Sequence, residues 1–166
     1  MLILASSFVV NAAPQFSSGR GRGSCYIVDS ENNPIGTIFF NFRISEKYHL
    51  KRGPMYGFIE LEIDEDNDGS IDIIISLTDI STIIFDYDLF EQWGNGFQCL
   101  VDGIASINYV NSKSIENKLI TVKLHDKDYS EDVDHIGLLV DSELYKIGEI
   151  ISGNIMIKIT GFSSHR

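Results

Sequence analysis

The chain reads as an all-β protein, an antiparallel β-sandwich or flattened barrel of about eight or nine strands with little helix. Three observations predict it. Apolar and polar residues alternate in several runs, most clearly Ile59, Leu61 and Ile63 against Phe58, Glu60 and Glu62. The runs are short, rich in β-branched and aromatic residues, and bounded by Gly, Asn, Asp and Ser. No long stretch carries helical periodicity.

Taken in order, Cys25–Asp29 is a short strand, Glu31-Asn32-Asn33-Pro34 a turn by its residue types, and Ile35–Phe42 a second strand. Ser45–Met55 is a polar loop. Tyr56–Asp64 and Ser70–Leu77 are strands flanking an acidic loop, which makes that loop a hairpin connection. Ile80–Tyr87 is a further strand, and Asp88–Trp93 a short helical turn. Gly96–Val110 is a long strand in which Gly103 signals a bulge or bend. Asn111–Asn117 is a turn, Lys118–His125 a strand, Asp126–Asp134 a second acidic loop, and His135–Asp141 and Asn154–Thr160 are the last strands.

The domain plan follows. Residues 1–13 are an apolar N-terminal segment, 14–23 a Ser/Gly linker or swinging arm, and 24–166 a single β domain. The apolar run Leu2–Val10, with Val10-Asn11-Ala12 after it, has the character of a secretory signal, although no Lys or Arg precedes it. It is too short to span a membrane, and no other span is expected. The same residues suit a second role, donation as a strand into a neighbouring copy to build a homo-oligomer or filament. A formal net charge of −11 opposes nucleic-acid binding and leaves the Gly-Arg repeat of Gly19–Gly23 a poor RNA signal. A secreted or cell-surface location makes a Cys25–Cys99 disulfide the expectation, with stabilisation of roughly 4 kcal/mol on the chain-entropy account.

Chemistry concentrates at Asp64-Glu65-Asp66-Asn67-Asp68-Gly69-Ser70-Ile71-Asp72. Alternate carboxylates on a tight turn can supply the oxygen shell that Ca²⁺ requires. The first half matches an EF-hand, but Ile75 stands where a bidentate Glu belongs and strands replace the helices. Asp-x-Asp-x-Asp-Gly-x-x-Asp instead resembles the calcium-binding β-hairpin loops of integrin-type propeller blades. That resemblance implies ligation by the side chains of Asp64, Asp66, Asp68 and Asp72 and the carbonyl of Ser70. A second candidate set for Ca²⁺ is Asp126, Asp128, Glu131, Asp132 and Asp134. His125 and His135 on its flanks are too few for a specific zinc signal. Enzyme signatures are absent, and Glu60 and Glu62 read as a solvent face rather than a glycosidase pair.

The second half is similar to a small secreted bacterial β domain of the post-COAP type. The residues that carry this are Leu119-Ile120-Thr121-Val122-Lys123-Leu124-His125-Asp126, His135-Ile136-Gly137-Leu138 and Ser152-Gly153-Asn154-Ile155-Met156-Ile157, with Gly21-x-Gly23 and Thr37–Phe42 at the opening. Charged residues replace the glycines of that family's loop. The resemblance implies a secreted β fold and brings no catalytic residues.

The leading expectation is a non-enzymatic, calcium-stabilised extracellular structural protein, a cell-surface or filament-forming subunit. The alternative is a carbohydrate- or small-ligand-binding module, with Tyr87, Phe90, Trp93 and Tyr109 as candidate binding aromatics.

Overall fold

The computed structural model describes residues 15–48, 55–87, 96–127, 134–141, 143–145 and 147–159. These form nine strands: β1 (Gln15–Val28), β2 (Pro34–Tyr48), β3 (Met55–Asp64), β4 (Ile73–Tyr87), β5 (Phe97–Tyr109), β6 (Ser114–Asp126), β7 (His135–Val140), β8 (Glu143–Tyr145) and β9 (Ile147–Ile159). Each of β1 to β7 pairs antiparallel with the next, β8 adds a three-residue edge to β7, and β9 returns beside β1. The result is one nearly closed, barrel-like sheet. It realises the barrel form of the expected fold, and no helix occurs among the described residues. The helical turn expected over Asp88–Trp93 and the apolar segment 1–13 lie outside the described residues.

Period-two alternation decides which side chains enter the barrel. Ile59, Leu61 and Ile63 of β3 are fully buried while Glu60 and Glu62 face out. Ile38, Phe40, Phe42 and Ile44 of β2 do the same. Apolar side chains thus fill most of the lumen, while the outside mixes charged residues with exposed apolar ones such as Phe39, Ile84, Ile104 and Leu119. No described helix is long and apolar enough to cross a membrane.

The expected linker over residues 14–23 is corrected: Gln15–Gly23 is the first half of β1. Its Gly-Arg-Gly-Arg-Gly run follows the strand period. Gly19, Gly21 and Gly23 pair with Ile44, Phe42 and Phe40 of β2. A side chain at Gly21 would stand 2.5 Å from the Phe42 ring and one at Gly23 2.9 Å from the Phe40 ring. The glycines therefore leave room for large rings to lie over the β1 backbone, which replaces the packing that glycine lacks.

Two expected strands, Ser70–Leu77 and Ile80–Tyr87, are one strand. β4 runs through with register shifts at Leu77/Asp79 and Ile80/Thr82, opposite Gly103 of β5. A side chain at Gly103 would overlap the Asp79 carbonyl oxygen. The irregularity signalled by Gly103 therefore lies on the partner strand. β2 and β6 also extend into the expected loops Ser45–Met55 and Asn111–Asn117.

The seam between β7 and β9 is held differently from the rest. Ladder pairing there is His135 with Glu149. Further along β9, the Ile155 N–H donates to Asp134 Oδ2 at 2.7 Å and the Ile157 N–H to Asp126 Oδ2 at 2.6 Å. Carboxylates take the place of a missing strand and satisfy an edge that would otherwise be open.

The expected disulfide does not form; Cys25 and Cys99 are free, fully buried thiols. Cys25 lies on β1 and Cys99 on β5, four strands apart in either direction round the barrel. Both point inward, so the packed lumen separates them by more than a disulfide can bridge. Burial pushes the Cys25 thiol up to about 12. Burial, then the nearby Glu46 carboxylate, pushes Cys99 well above its ordinary value. Neither forms thiolate at neutral pH. A colorimetric thiol reagent at pH 8 is expected to leave the folded protein unlabelled and to count two thiols in guanidinium without reductant. A count of zero there would restore the disulfide.

Candidate metal centre

The β3–β4 connection is built from Asp64 to Asp72 and stands on the barrel rim. Its backbone is shaped by two left-handed residues, Asn67 (φ 59°) and Gly69 (φ 89°). Asn and Gly are the residues that accept this conformation most readily. Short-range Asx bonds hold the turn: the Asp68 N–H donates to Asp66 Oδ1 (3.2 Å) and the Ser70 N–H to Asp68 Oδ1 (2.7 Å). The Gly69 N–H donates to Asp64 Oδ2 at 2.9 Å, and the Glu65 N–H to Asp72 Oδ2 at 2.9 Å. Gly36 of β2 lets the loop pass close, since a side chain there would stand 2.6 Å from the Asp64 carbonyl oxygen.

Neighbouring strands lock the loop from outside. Asn111, in the β5–β6 turn, donates from Nδ2 to Asp72 Oδ1 at 2.7 Å. The Val110 N–H donates to the Asp72 carbonyl at 2.8 Å, and the Asp72 N–H to Ile63 O at 2.8 Å. Thr37 of β2 donates from Oγ1 to Asn67 Oδ1 at 2.7 Å. Sequence reasoning missed Asn111, Thr37 and Gly36. They are distant in the chain and carry no metal-ligand signature; only the barrel brings them to this rim.

Asp64, Asp66 and Asp72 present carboxylate oxygens that all lie within 4.8 Å of one another. Asp64 is only 5% exposed, and its Oδ1 is buried with no hydrogen-bond partner. An unpartnered buried carboxylate oxygen is costly unless a cation or donor faces it. Two oxygens on opposite sides of a Ca²⁺ ion stand about 4.6–5.2 Å apart, given bond lengths of about 2.3–2.6 Å. The cluster therefore has the span, the charge and the all-oxygen donors of a hard-cation site. Of the expected ligands, Asp64, Asp66 and Asp72 converge. Asp68 lies outside the cluster, and its Oδ1 accepts the Ser70 N–H.

Glu65 responds to this crowding. Burial first, then Asp72 and Asp66, raise its carboxyl above the ordinary 4.5. A folded-state value above the unfolded one means that the metal-free fold holds this proton more tightly than the open chain. Glu65 therefore weakens the metal-free fold as pH rises through that window. Glu65→Gln is expected to raise the unfolding midpoint in EDTA at pH 7, and to bring no gain below about pH 4, where the acid is protonated in both states. An equal gain at both pH values would assign the effect to something other than charge.

The second acidic loop is divided. Asp126 and Asp134 direct their carboxylates to the β9 amides, and Asp134 Oδ1 also accepts the Lys127 N–H at 3.1 Å. Asp128, Glu131 and Asp132 lie outside the described residues. His125 and His135 are register partners whose rings stack with centroids 5.7 Å apart. Among the candidate binding aromatics, Tyr109 packs against the core, while Phe90 and Trp93 lie outside the described residues. No family model, curated protein or solved structure matches the chain.

Proposed function

We propose that this chain is a non-catalytic, extracellular β-barrel module whose rim hairpin binds Ca²⁺ for rigidity, serving as a structural or cell-surface subunit. The observation that carries the reading is that Asp64, whose buried Oδ1 has no hydrogen-bond partner, gathers a carboxylate oxygen with those of Asp66 and Asp72. The loop is already fixed by Thr37 and Asn111, so an ion there tightens a formed turn rather than switching a fold. Calcium titration calorimetry tests it: the wild type takes up one equivalent and Asp64→Asn none. Absence of uptake by the wild type would end the calcium reading.

A filament role, through donation of residues 2–10 to a neighbouring copy, would use the β7–β9 seam. Ladder pairing between the two strands is one bridge; since Asp134, Asp126 and β8 already take the amides of Ile155 and Ile157 and the edge of β7, a donated strand would have to displace those contacts. Deletion of residues 2–10 is expected to abolish high-mass assemblies in light scattering and leave the unfolding midpoint of the barrel unchanged.

A further inference from the structure

Arg20, Arg22 and Arg43 are the arginines among the described residues, and all three share one outer face of the barrel. Arg20 and Arg43 are direct cross-strand partners on β1 and β2, and Arg22 follows two residues along β1. On the other side β9 places Met156 opposite Arg20 and Lys158 opposite Ser18. A chain of net charge −11 thus collects its described arginines in a single exposed patch.

The carboxylates nearest this patch, Glu60 and Glu62 of β3, line the depression beside Arg22 without forming an ion pair with it. No ion pair among the described residues involves these arginines. Arg20 Nη2 rests 3.6 Å from Met156 Sδ, a weak acceptor. Glu60, on the adjacent strand, accepts instead from Asn41 Nδ2 at 3.1 Å. Like charges placed directly across a strand pair destabilise a sheet. The arrangement is a local electrostatic cost that a bound anion would remove.

The face is also grooved. Three adjoining open depressions of about 350, 430 and 510 Å³ run between these side chains, with Phe39 and Phe58 in their walls. Neighbouring strands are about 4.8 Å apart, and alternate residues about 6.7 Å apart along a strand. The cations therefore recur at a spacing comparable to one sugar unit. Guanidinium groups grip carboxylate or sulfate oxygens in pairs, and the flanking rings offer apolar surface to sugar faces.

We propose that this face binds an acidic polysaccharide, a chain bearing uronate carboxylates or sulfate esters. The open grooves suit a polymer lying across the strands rather than an enclosed small molecule. A nucleic acid is the competing polyanion, and the oligonucleotide arm of the test below separates the two. The inference rests on the β9–β1–β2 face and not on the metal centre.

Calorimetry on the full chain in low salt with EDTA, which removes cation bridging, provides the test. The probes are heparin, polygalacturonate, neutral dextran and a single-stranded DNA oligonucleotide. Binding is expected to at least one acidic polysaccharide and not to dextran. Arg43→Glu should weaken it ten-fold or more, and Lys113→Glu, an equal charge change on the exposed β5–β6 turn, less than two-fold. Unfolding midpoints of both exposed-site variants verify that they fold. The proposal is overturned by failure to bind either acidic polysaccharide, by equal weakening in the two variants, or by equal or tighter binding of the oligonucleotide.

Discussion

Addition of about 10 mM Ca²⁺ to EDTA-treated protein is expected to raise its unfolding midpoint by about 4–8 °C, and Asp64→Asn to abolish the rise. The size follows from affinity and chain length. Extracellular calcium modules bind at about 10⁻⁴–10⁻³ M, so this concentration stabilises the folded state by about 2 kcal/mol. For a chain of this length each kcal/mol moves the midpoint by about 2–4 °C. The variant also separates metal binding from simple damage. An asparagine at position 64 keeps a carbonyl oxygen for the Gly69 N–H, which Asp64 Oδ2 accepts in the wild type. It also removes one of the charges crowded in the cluster. Its midpoint in EDTA should therefore equal or exceed that of the wild type, while its response to Ca²⁺ is lost. A variant that is less stable in EDTA yet still responds to Ca²⁺ would contradict the assignment of Asp64 as a ligand.

Gly23→Ala is expected to destabilise the barrel by about 3 kcal/mol or to prevent its folding. The added methyl would overlap the Ser152 carbonyl oxygen of β9 and stand 2.9 Å from Phe40 Cζ. The first of these contacts is with backbone, so no rotamer change relieves it. The strands on both sides of β1 would have to move, and they close the barrel. Gly69→Ala provides the contrast: nothing lies within 4 Å of the added methyl, but φ is +89°. That variant should lose only about 1–2 kcal/mol, the cost of a left-handed non-glycine residue. Chemical denaturation of the two variants checks the ranking. A Gly23→Ala protein as stable as the wild type would show that β1 is not packed between β2 and β9 in this way.

Legibility from sequence followed the range of the physics involved. Alternation is local, and Ile59, Leu61 and Ile63 entered the core on the face that the pattern assigns them. The hairpin at Asp64–Asp72 was legible for the same reason, because its turn residues and carboxylates lie within one short segment. The Gly-Arg-Gly-Arg-Gly run is part of a strand and not the flexible arm expected of it. Composition favours a linker, while the period-two pattern marks a strand with arginines on one face and glycines on the other; that the glycines lie beneath Phe42 and Phe40 depends on the register with β2. The disulfide was inferred from compartment and even count. Neither consideration contains the barrel's circumference, which sets Cys25 and Cys99 on opposite walls.

By itself, then, the sequence determined an antiparallel all-β chain, the inward and outward faces of its strands, and a carboxylate-rich hairpin. These depend on neighbours two to eight residues apart. Tertiary structure alone decided that the sheet curls into a barrel with a carboxylate-sealed seam, that Asn111 and Thr37 anchor the hairpin, and that Arg20 and Arg43 meet beside Met156. Each of those outcomes depends on strand register, which is set cooperatively by the whole core and is carried by no single segment.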